Sequence, residues 1–271
     1  MSGYTDFYVS WLGNNSFGNT PSRPAPAPAP APVVFTPLDI SDCYLWFNCD
    51  DTTTMALSNV TVLSFSNLGL ASAVASNTVG EVTVVQDVNN LNVLNFTSGT
   101  QLEYSATLPY LDRTQFVVFK SLSDMSNATY PYLTFTSGGY SAMQTGVNWD
   151  SNSGLFQYSM CQNGLNCPVL GTTSNNPLSN ATMVTYVSES VGYSNNALYI
   201  NDGSNINTST DIGNLYNTSN DTYILNNAGP PGEGQSQNLC ELIEYGRVLG
   251  SNEILTVQQY LNSKWGLGLN F

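Results

Sequence analysis

From residue 33 to the C-terminus, apolar and polar positions alternate with period two in short runs, and clusters of Gly, Asn, Asp and Ser separate the runs. This pattern predicts strands at Cys43–Asn48, Val60–Phe65, Glu81–Val85, Val93–Phe96, Leu102–Tyr104, Gln115–Lys120, Tyr132–Thr136, Gly154–Tyr158, Met183–Ser188, Ala197–Ile200, Thr222–Leu225 and Leu239–Tyr245. Asn201-Asp202-Gly203 and Asn163-Gly164 are turn sequences, because Asn and Gly tolerate the left-handed backbone that tight hairpins need. Many short strands joined by Asn-rich loops predict an all-β fold, a two-sheet antiparallel sandwich.

One stretch has the other periodicity. Ile254, Val257 and Leu261 recur at i, i+3 and i+7 and so share a helix face. Ser251 is the expected N-cap, Glu253 lies in the first turn, Lys264 in the last, and Gly266 supplies a left-handed stop. The result is one short C-terminal helix.

Ahead of the strands the pattern changes twice. Residues 1–20 form an extended N-terminal arm carrying Tyr4, Phe7, Tyr8, Trp11 and Phe17. Residues 21–32, PSRPAPAPAPAP, are a Pro-Ala linker, which favours a semi-rigid polyproline II spacer rising about 3.1 Å per residue. The remaining residues, 33–271, are the globular domain. A solvated tail would be polar, so five aromatics before a stiff spacer read as a docking arm for a partner or neighbouring subunit; the alternative is an arm folded onto its own domain.

Composition narrows the chemistry. Charged residues make up 9% of the chain, well below the usual quarter, and Asn, Ser, Thr and Gly supply the polar surface. A net charge of −14 opposes binding to nucleic acid or to an anionic membrane surface. There is no histidine, which rules out His-dependent triads and His-ligated zinc. No run approaches the ~18 apolar residues of a membrane helix. The N-terminus lacks the basic and apolar regions of a secretory leader, so synthesis in the cytoplasm is expected. The N-x-S/T triplets at Asn14, Asn59, Asn95, Asn127, Asn180, Asn207, Asn217 and Asn220 read as a by-product of an Asn/Ser/Thr-rich surface.

Several of these elements together resemble the concanavalin A-like (laminin-G/pentraxin-type) jelly-roll superfamily. They run in family order across residues 38–269: Tyr44-Leu45-Trp46-Phe47 before Asp50-Asp51, Val93-Leu94-Asn95-Phe96 before Thr100-Gln101-Leu102-Glu103-Tyr104, Thr114 to Lys120, Ala197 to Gly203, Leu242 to Tyr245, and the helix ending Lys264-Trp265-Gly266-Leu267. The resemblance implies a jelly-roll sandwich whose first and last strands are neighbours, so that Cys240 would meet Cys43 or Cys49. The superfamily includes lectins, glycosidases, adhesion modules and virion surface proteins, so fold alone does not choose a function.

The chemistry-bearing residues point away from catalysis. Glycosidases of this fold carry an E-x-D-x-E strand motif that is absent here, and Glu241 and Glu244, three apart, fall on opposite faces of a strand. Asp50-Asp51 reads as a polar turn, since calcium needs six to eight oxygens. Gly229–Gly234 has two prolines and no lysine, so it is a loop and no phosphate cradle. Of five cysteines, Cys161 and Cys167 flank the Asn163-Gly164 turn, where a hairpin would bring them together as a disulfide. Cys43 and Cys49 stand about 20 Å apart on an extended strand and cannot bond each other. Buried free thiols are the alternative state. No metal ligands or cofactor motif emerges.

Two functions follow as expectations. The first is a non-enzymatic structural or attachment protein of a larger assembly, a large-virus capsid-associated surface protein held in the virion by its arm. The alternative is a lectin-like carbohydrate-binding module, with Trp149, Asn148, Asp150, Tyr140 and Tyr193 forming an aromatic and amide platform for a glycan. Homo-oligomerisation is compatible with either.

Overall fold

The structure, a computed structural model, describes residues 35–97, 99–106, 112–122, 132–136, 143–150, 155–162, 169–173, 180–188, 197–201, 205–207, 221–225 and 236–271. For 106, 132–136, 143–150, 155–162, 169–173, 188, 198, 205–207 and 221–225 it describes the backbone alone. The arm (1–20) and the linker (21–32) lie outside the described residues.

Seventeen strands are described: β1 (Cys43–Asn48), β2 (Met55–Ser58), β3 (Thr61–Ser66), β4 (Val74–Val79), β5 (Thr83–Gln86), β6 (Asn92–Phe96), β7 (Gln101–Ala106), β8 (Arg113–Ser121), β9 (Tyr132–Thr136), β10 (Met143–Asp150), β11 (Leu155–Gln162), β12 (Val169–Thr173), β13 (Thr182–Ser188), β14 (Ala197–Ile200), β15 (Asn205–Asn207), β16 (Asp221–Leu225) and β17 (Gln237–Tyr245). One helix, α1 (Ser251–Trp265), follows. A hydrogen-bonded ribbon runs β15-β14-β13-β8-β17-β6-β5-β3-β4-β7-β16, with β1 added to β17 and β2 to β3. A second sheet runs β12-β11-β10-β9.

The ribbon doubles over on one core, which makes the fold an antiparallel sandwich. Val117 and Phe119 of β8, Tyr186 of β13 and Leu242 of β17 share that core with Val62 and Phe65 of β3 and Leu102 of β7. Phe47 of β1 sits at its centre, its ring 5.0 Å from Phe65 and 5.2 Å from Tyr104. The outer face of β8 and β17 is buried as well, since Phe116, Val118 and Ile243 pack against Ile254, Val257, Leu261 and Trp265 of α1. Burial on both faces is why all nine residues of β17 are inside and why its sequence does not alternate cleanly.

β1 would otherwise be an open sheet edge. Residues 67–71 cover it: Leu68 N–H donates to the Trp46 carbonyl at 2.9 Å and Ala71 N–H to the Tyr44 carbonyl at 3.0 Å. Asn67 fixes this segment, its Oδ1 accepting from the N–H groups of Trp46 (2.6 Å) and Gly69 (2.9 Å). The approach is so close that a Cβ on Gly69 would run into the Tyr44 carbonyl.

The strands expected from sequence are present, three with the predicted limits (β1, β9, β14) and the others shifted by up to four residues at one end or the other. Five were not foreseen: β2, β4, β10, β12 and β15. Each is short, exposed on more than one side, or rich in Gly, Asn, Ser and Thr, so alternation was weak. In β2 three of four residues are exposed, and in β4 only Ala75 is buried.

The helix starts one residue earlier than expected. Gly250, not Ser251, is the N-cap, because the Glu253 carboxylate reaches back to accept from Gly250 N–H at 2.9 Å. That carboxylate also takes a two-pronged pair from Arg247, NH1 to Oε2 at 2.9 Å and NH2 to Oε1 at 2.6 Å. Gly266 closes the helix with φ of 62°, as expected, and Leu267 N–H donates to the Asn262 carbonyl at 3.1 Å.

The Arg247 pair, followed by the Gly250 N–H, holds the Glu253 carboxyl down at about 2, from an ordinary 4.5. A depressed carboxylate contributes stability that is fully present above its unfolded value and is lost as pH falls through the folded value. Stability should therefore fall between about pH 5 and pH 2 in part through this group. The share is below about 1 kcal/mol, because solvent screens a pair this exposed. Glu253→Gln should flatten that segment of the stability–pH curve in urea titrations; an unchanged slope would show that Glu253 does not anchor the helix start.

Candidate functional site

The most concentrated polar chemistry in the described residues lies at Glu241, in the middle of β17. Its carboxylate is 1% exposed yet accepts four hydrogen bonds. Oε1 takes Trp46 Nε1 at 2.6 Å and the Tyr260 hydroxyl at 2.9 Å; Oε2 takes Lys264 Nζ at 2.7 Å and Trp265 Nε1 at 2.8 Å. Lys264 also donates to Asn48 Oδ1 at 2.7 Å and lies over the rings of Trp265 (5.0 Å) and Tyr260 (5.5 Å). The donors come from β1 and α1, so one carboxylate ties the first strand, the last strand and the helix together. Burial and its donation to Glu241 hold the Tyr260 hydroxyl protonated far above the ordinary tyrosine range.

Backbone geometry turns Glu241 to this side. The register of β17 on β8 slips at Cys240, with Leu239 opposite Phe119 and Glu241 opposite Val118. Leu239 and Leu242 both face the sandwich interior, while Glu241 faces the helix. Without the slip, period two would put Glu241 on the face of Leu239.

Glu244 lies on the opposite face from Glu241, as the spacing predicted. It accepts from Gln115 Nε2 at 2.8 Å and pairs with Arg113 NH1 at 3.9 Å, both carboxylate and guanidinium being buried. Burial raises its carboxyl above the ordinary range, and Arg113 and Gln115 oppose the rise. Three further described acids are also engaged. Asp87 binds Lys120 Nζ at 2.7 and 2.8 Å and Asn238 Nδ2 at 2.6 Å. Asp51 accepts from Thr53 N–H at 3.1 Å, and Asp50 from Asn92 N–H at 3.0 Å, which makes Asp50-Asp51 the polar turn expected. Among the described residues no group of three metal-ligating side chains forms.

Cys43, Cys49 and Cys240 are buried free thiols. The neighbouring of first and last strands is as the resemblance implied, and Cys49 N–H donates to the Cys240 carbonyl at 3.2 Å. The slip at Cys240 nevertheless turns its side chain to the helix side, while Cys49 packs in the sandwich. Burial pushes the Cys43 thiol up to about 12 and also raises the Cys49 and Cys240 thiols well above the ordinary range.

Of the expected glycan platform, Asn148, Trp149 and Asp150 fall on the backbone of β10, opposite Gln157, Phe156 and Leu155 of β11. Their side chains, with Tyr140 and Tyr193, lie outside the described residues, as do the arm aromatics Tyr4, Phe7, Tyr8, Trp11 and Phe17. Cys161 is on β11, which pairs antiparallel with β12; the Asn163-Gly164 turn, Cys167 and the proposed disulfide lie outside the described residues. The Glu241 cluster was missed in sequence. Its signal was a carboxylate set inside the apolar run Leu239-Cys240-Glu241-Leu242-Ile243.

No protein-family model matches the chain, and no curated protein does. Solved structures do. The receptor-binding domain of botulinum neurotoxin mosaic serotype C/D superposes with a TM-score of 0.59 at 17% identity, covering 80% of this chain and 50% of that one. A structure of botulinum neurotoxin type C, whose cell entry depends on interaction with two ganglioside molecules, gives 0.55 at 14% identity over 75% and 51%. The binding domain of botulinum neurotoxin DC in complex with SialylT gives 0.57 at 12% identity over 82% and 52%. This chain thus spans about half the length of those domains. The likeness is one of fold, a β-sandwich.

Glu241→Gln would set an amide N–H₂ against the cationic and indole donors and strip Lys264 of its counter-charge. The expected loss is about 3–5 kcal/mol, the usual cost of breaking a buried pair. Trp265→Phe, which removes one donor, should cost less, about 1–3 kcal/mol. Urea unfolding monitored by tryptophan fluorescence and circular dichroism measures both; an E241Q chain within 1 kcal/mol of the parent would mean the cluster does not hold the helix.

Proposed function

We propose that the domain is a non-enzymatic, lectin-like binding module whose ligand is a glycan. The observation that carries this reading is the likeness of four-fifths of the chain to receptor-binding domains, one of them seen in complex with SialylT. The engagement of Glu241, Glu244, Asp87, Asp50 and Asp51 in structural hydrogen bonds supports it, since each is committed to holding strands, the helix or a turn in place. A glycan needs no ionised partner. Aromatic faces and amides suffice, and these are what a chain with 9% charged residues and 31 aromatics offers. We assign the platform to Trp149 with Asn148, Asp150, Tyr140 and Tyr193.

The aromatic arm before a polyproline spacer favours a second, compatible reading, in which the module is fixed to a larger assembly such as a virus capsid and projects from it.

A glycan array that includes gangliosides and sialylated oligosaccharides, probed with the full-length chain, tests the first reading. Binding should appear and weaken at least about tenfold in Trp149→Ala, a change of about 1.4 kcal/mol or more, with the circular dichroism spectrum unchanged. Silence across the array, or binding indifferent to Trp149→Ala, would remove the lectin reading or its assigned platform respectively.

A further inference from the structure

The Glu241 cluster brings together three groups that can react with one another. Lys264 Nζ donates to Asn48 Oδ1 and to Glu241 Oε2, each at 2.7 Å. Asn48 ends β1, Glu241 lies in β17 and Lys264 in the last turn of α1, so an amine, a primary amide and a carboxylate meet from three elements. The Lys264 side chain is 16% exposed and the Glu241 side chain 0%, which leaves little water to compete for the amide. An attacking atom must come within about 3–3.5 Å of its target. Nζ already touches the oxygen bonded to the Asn48 amide carbon, and the soft χ2 torsion of Asn can turn that carbon toward it.

The surroundings supply what transamidation needs. Asn48 Oδ1 also accepts from Asp50 N–H at 3.2 Å, a donor fixed where charge gathers on that oxygen during attack. Trp46, Tyr260 and Trp265 hold the Glu241 carboxylate in place beside Nζ. The competing reaction of an Asn amide, attack by the following backbone nitrogen, is opposed here, because Cys49 N–H is held by the Cys240 carbonyl at 3.2 Å.

We propose that Lys264 and Asn48 form an intramolecular isopeptide bond, with Glu241 relaying the protons. Nζ gives a proton to Oε2, and its freed electron pair attacks Asn48 Cγ. The Cγ–Nζ bond forms as the carbonyl pair shifts onto Oδ1; the pair then returns and the Cγ–Nδ2 bond breaks. Of the two protons that Nζ sheds, Oε2 keeps one and passes the other to Nδ2, which leaves as ammonia. No oxidant and no cofactor enters. The bond ties β1 to α1 between residues 216 apart in sequence, in a region where Cys43, Cys49 and Cys240 are free thiols.

Intact-mass spectrometry of the full-length chain, denatured after incubation at neutral pH, tests this. The parent should be about 17 Da lighter than its sequence, the mass of the one ammonia released. Peptide mapping should yield one branched peptide joining the segment that holds Asn48 to the segment that holds Lys264. Lys264→Arg keeps the charge on Glu241 but offers no amine nucleophile, and Asn48→Ala keeps the Lys264–Glu241 pair but removes the amide. Both should retain their full sequence mass with the circular dichroism spectrum unchanged. A parent at full mass, a 17 Da loss (about one ammonia) that persists in Lys264→Arg, or a loss mapped to Asn48-Cys49 with no branched peptide, would overturn the proposal. These readouts are independent of glycan binding.

Discussion

The sandwich depends on one buried carboxylate. Glu241 has lost essentially all contact with water, a loss that costs several kcal/mol for an ion and that only close, well-directed donors offset. It has four, two indoles, a phenol and an ammonium, drawn from β1 and α1. Each donor is itself an amphipathic side chain whose apolar body packs while its polar tip reaches inward. The same contacts therefore bury hydrophobic area and satisfy the charge. Helix docking is also specified in register: a shift of one residue along α1 would carry Tyr260, Lys264 and Trp265 away from Glu241 and leave an ion alone inside the protein. A hydrophobic seam would hold the helix as firmly but would specify its position less well.

This interaction works because the backbone breaks a rule. Strict alternation along β17 would direct Glu241 into the sandwich beside Leu239, where Val117, Phe119 and Leu94 offer no donors. The one-residue slip at Cys240 restores Leu242 to the interior and gives the carboxylate to the helix.

That irregularity also marks where sequence reading succeeds and where it stops. The Lys264-Trp265-Gly266 signature was visible, and its physical content is now plain: Lys264 and Trp265 share one oxygen of Glu241, and Gly266 turns the chain only after they have done so. The helix face Ile254, Val257, Leu261 was legible because burial imposes a period. Glu241 itself was not, since nothing in a one-dimensional pattern announces a slipped register. Ser251 was misread as the cap because the true cap acceptor, Glu253, works from inside the helix and needs no side chain at Gly250. Nothing in the pattern around Asn67 marked it, yet it protects the edge of β1. β2 and β4 escaped notice because each buries a single residue, Met55 and Ala75, which leaves no alternating run to read. Of the candidate site, the sequence placed Trp149, Asn148 and Asp150 side by side, and the structure adds that they lie on a paired strand, β10.

The distribution of charge connects the fold to its proposed uses. With so few ionisable groups, the protein still spends several of its described carboxylates on structure: Glu241 on the helix, Glu244 on Arg113 and Gln115 inside the sandwich, Asp87 on Lys120 and Asn238. Recognition is then left to aromatic rings, amides and hydroxyls, groups that suit neutral and polar ligands and bind them with little dependence on salt. The net charge of −14 acts at a distance and favours repulsion between copies and from other anionic bodies. A partner that reaches the molecule must do so where that field is weakest or bring compensating groups of its own.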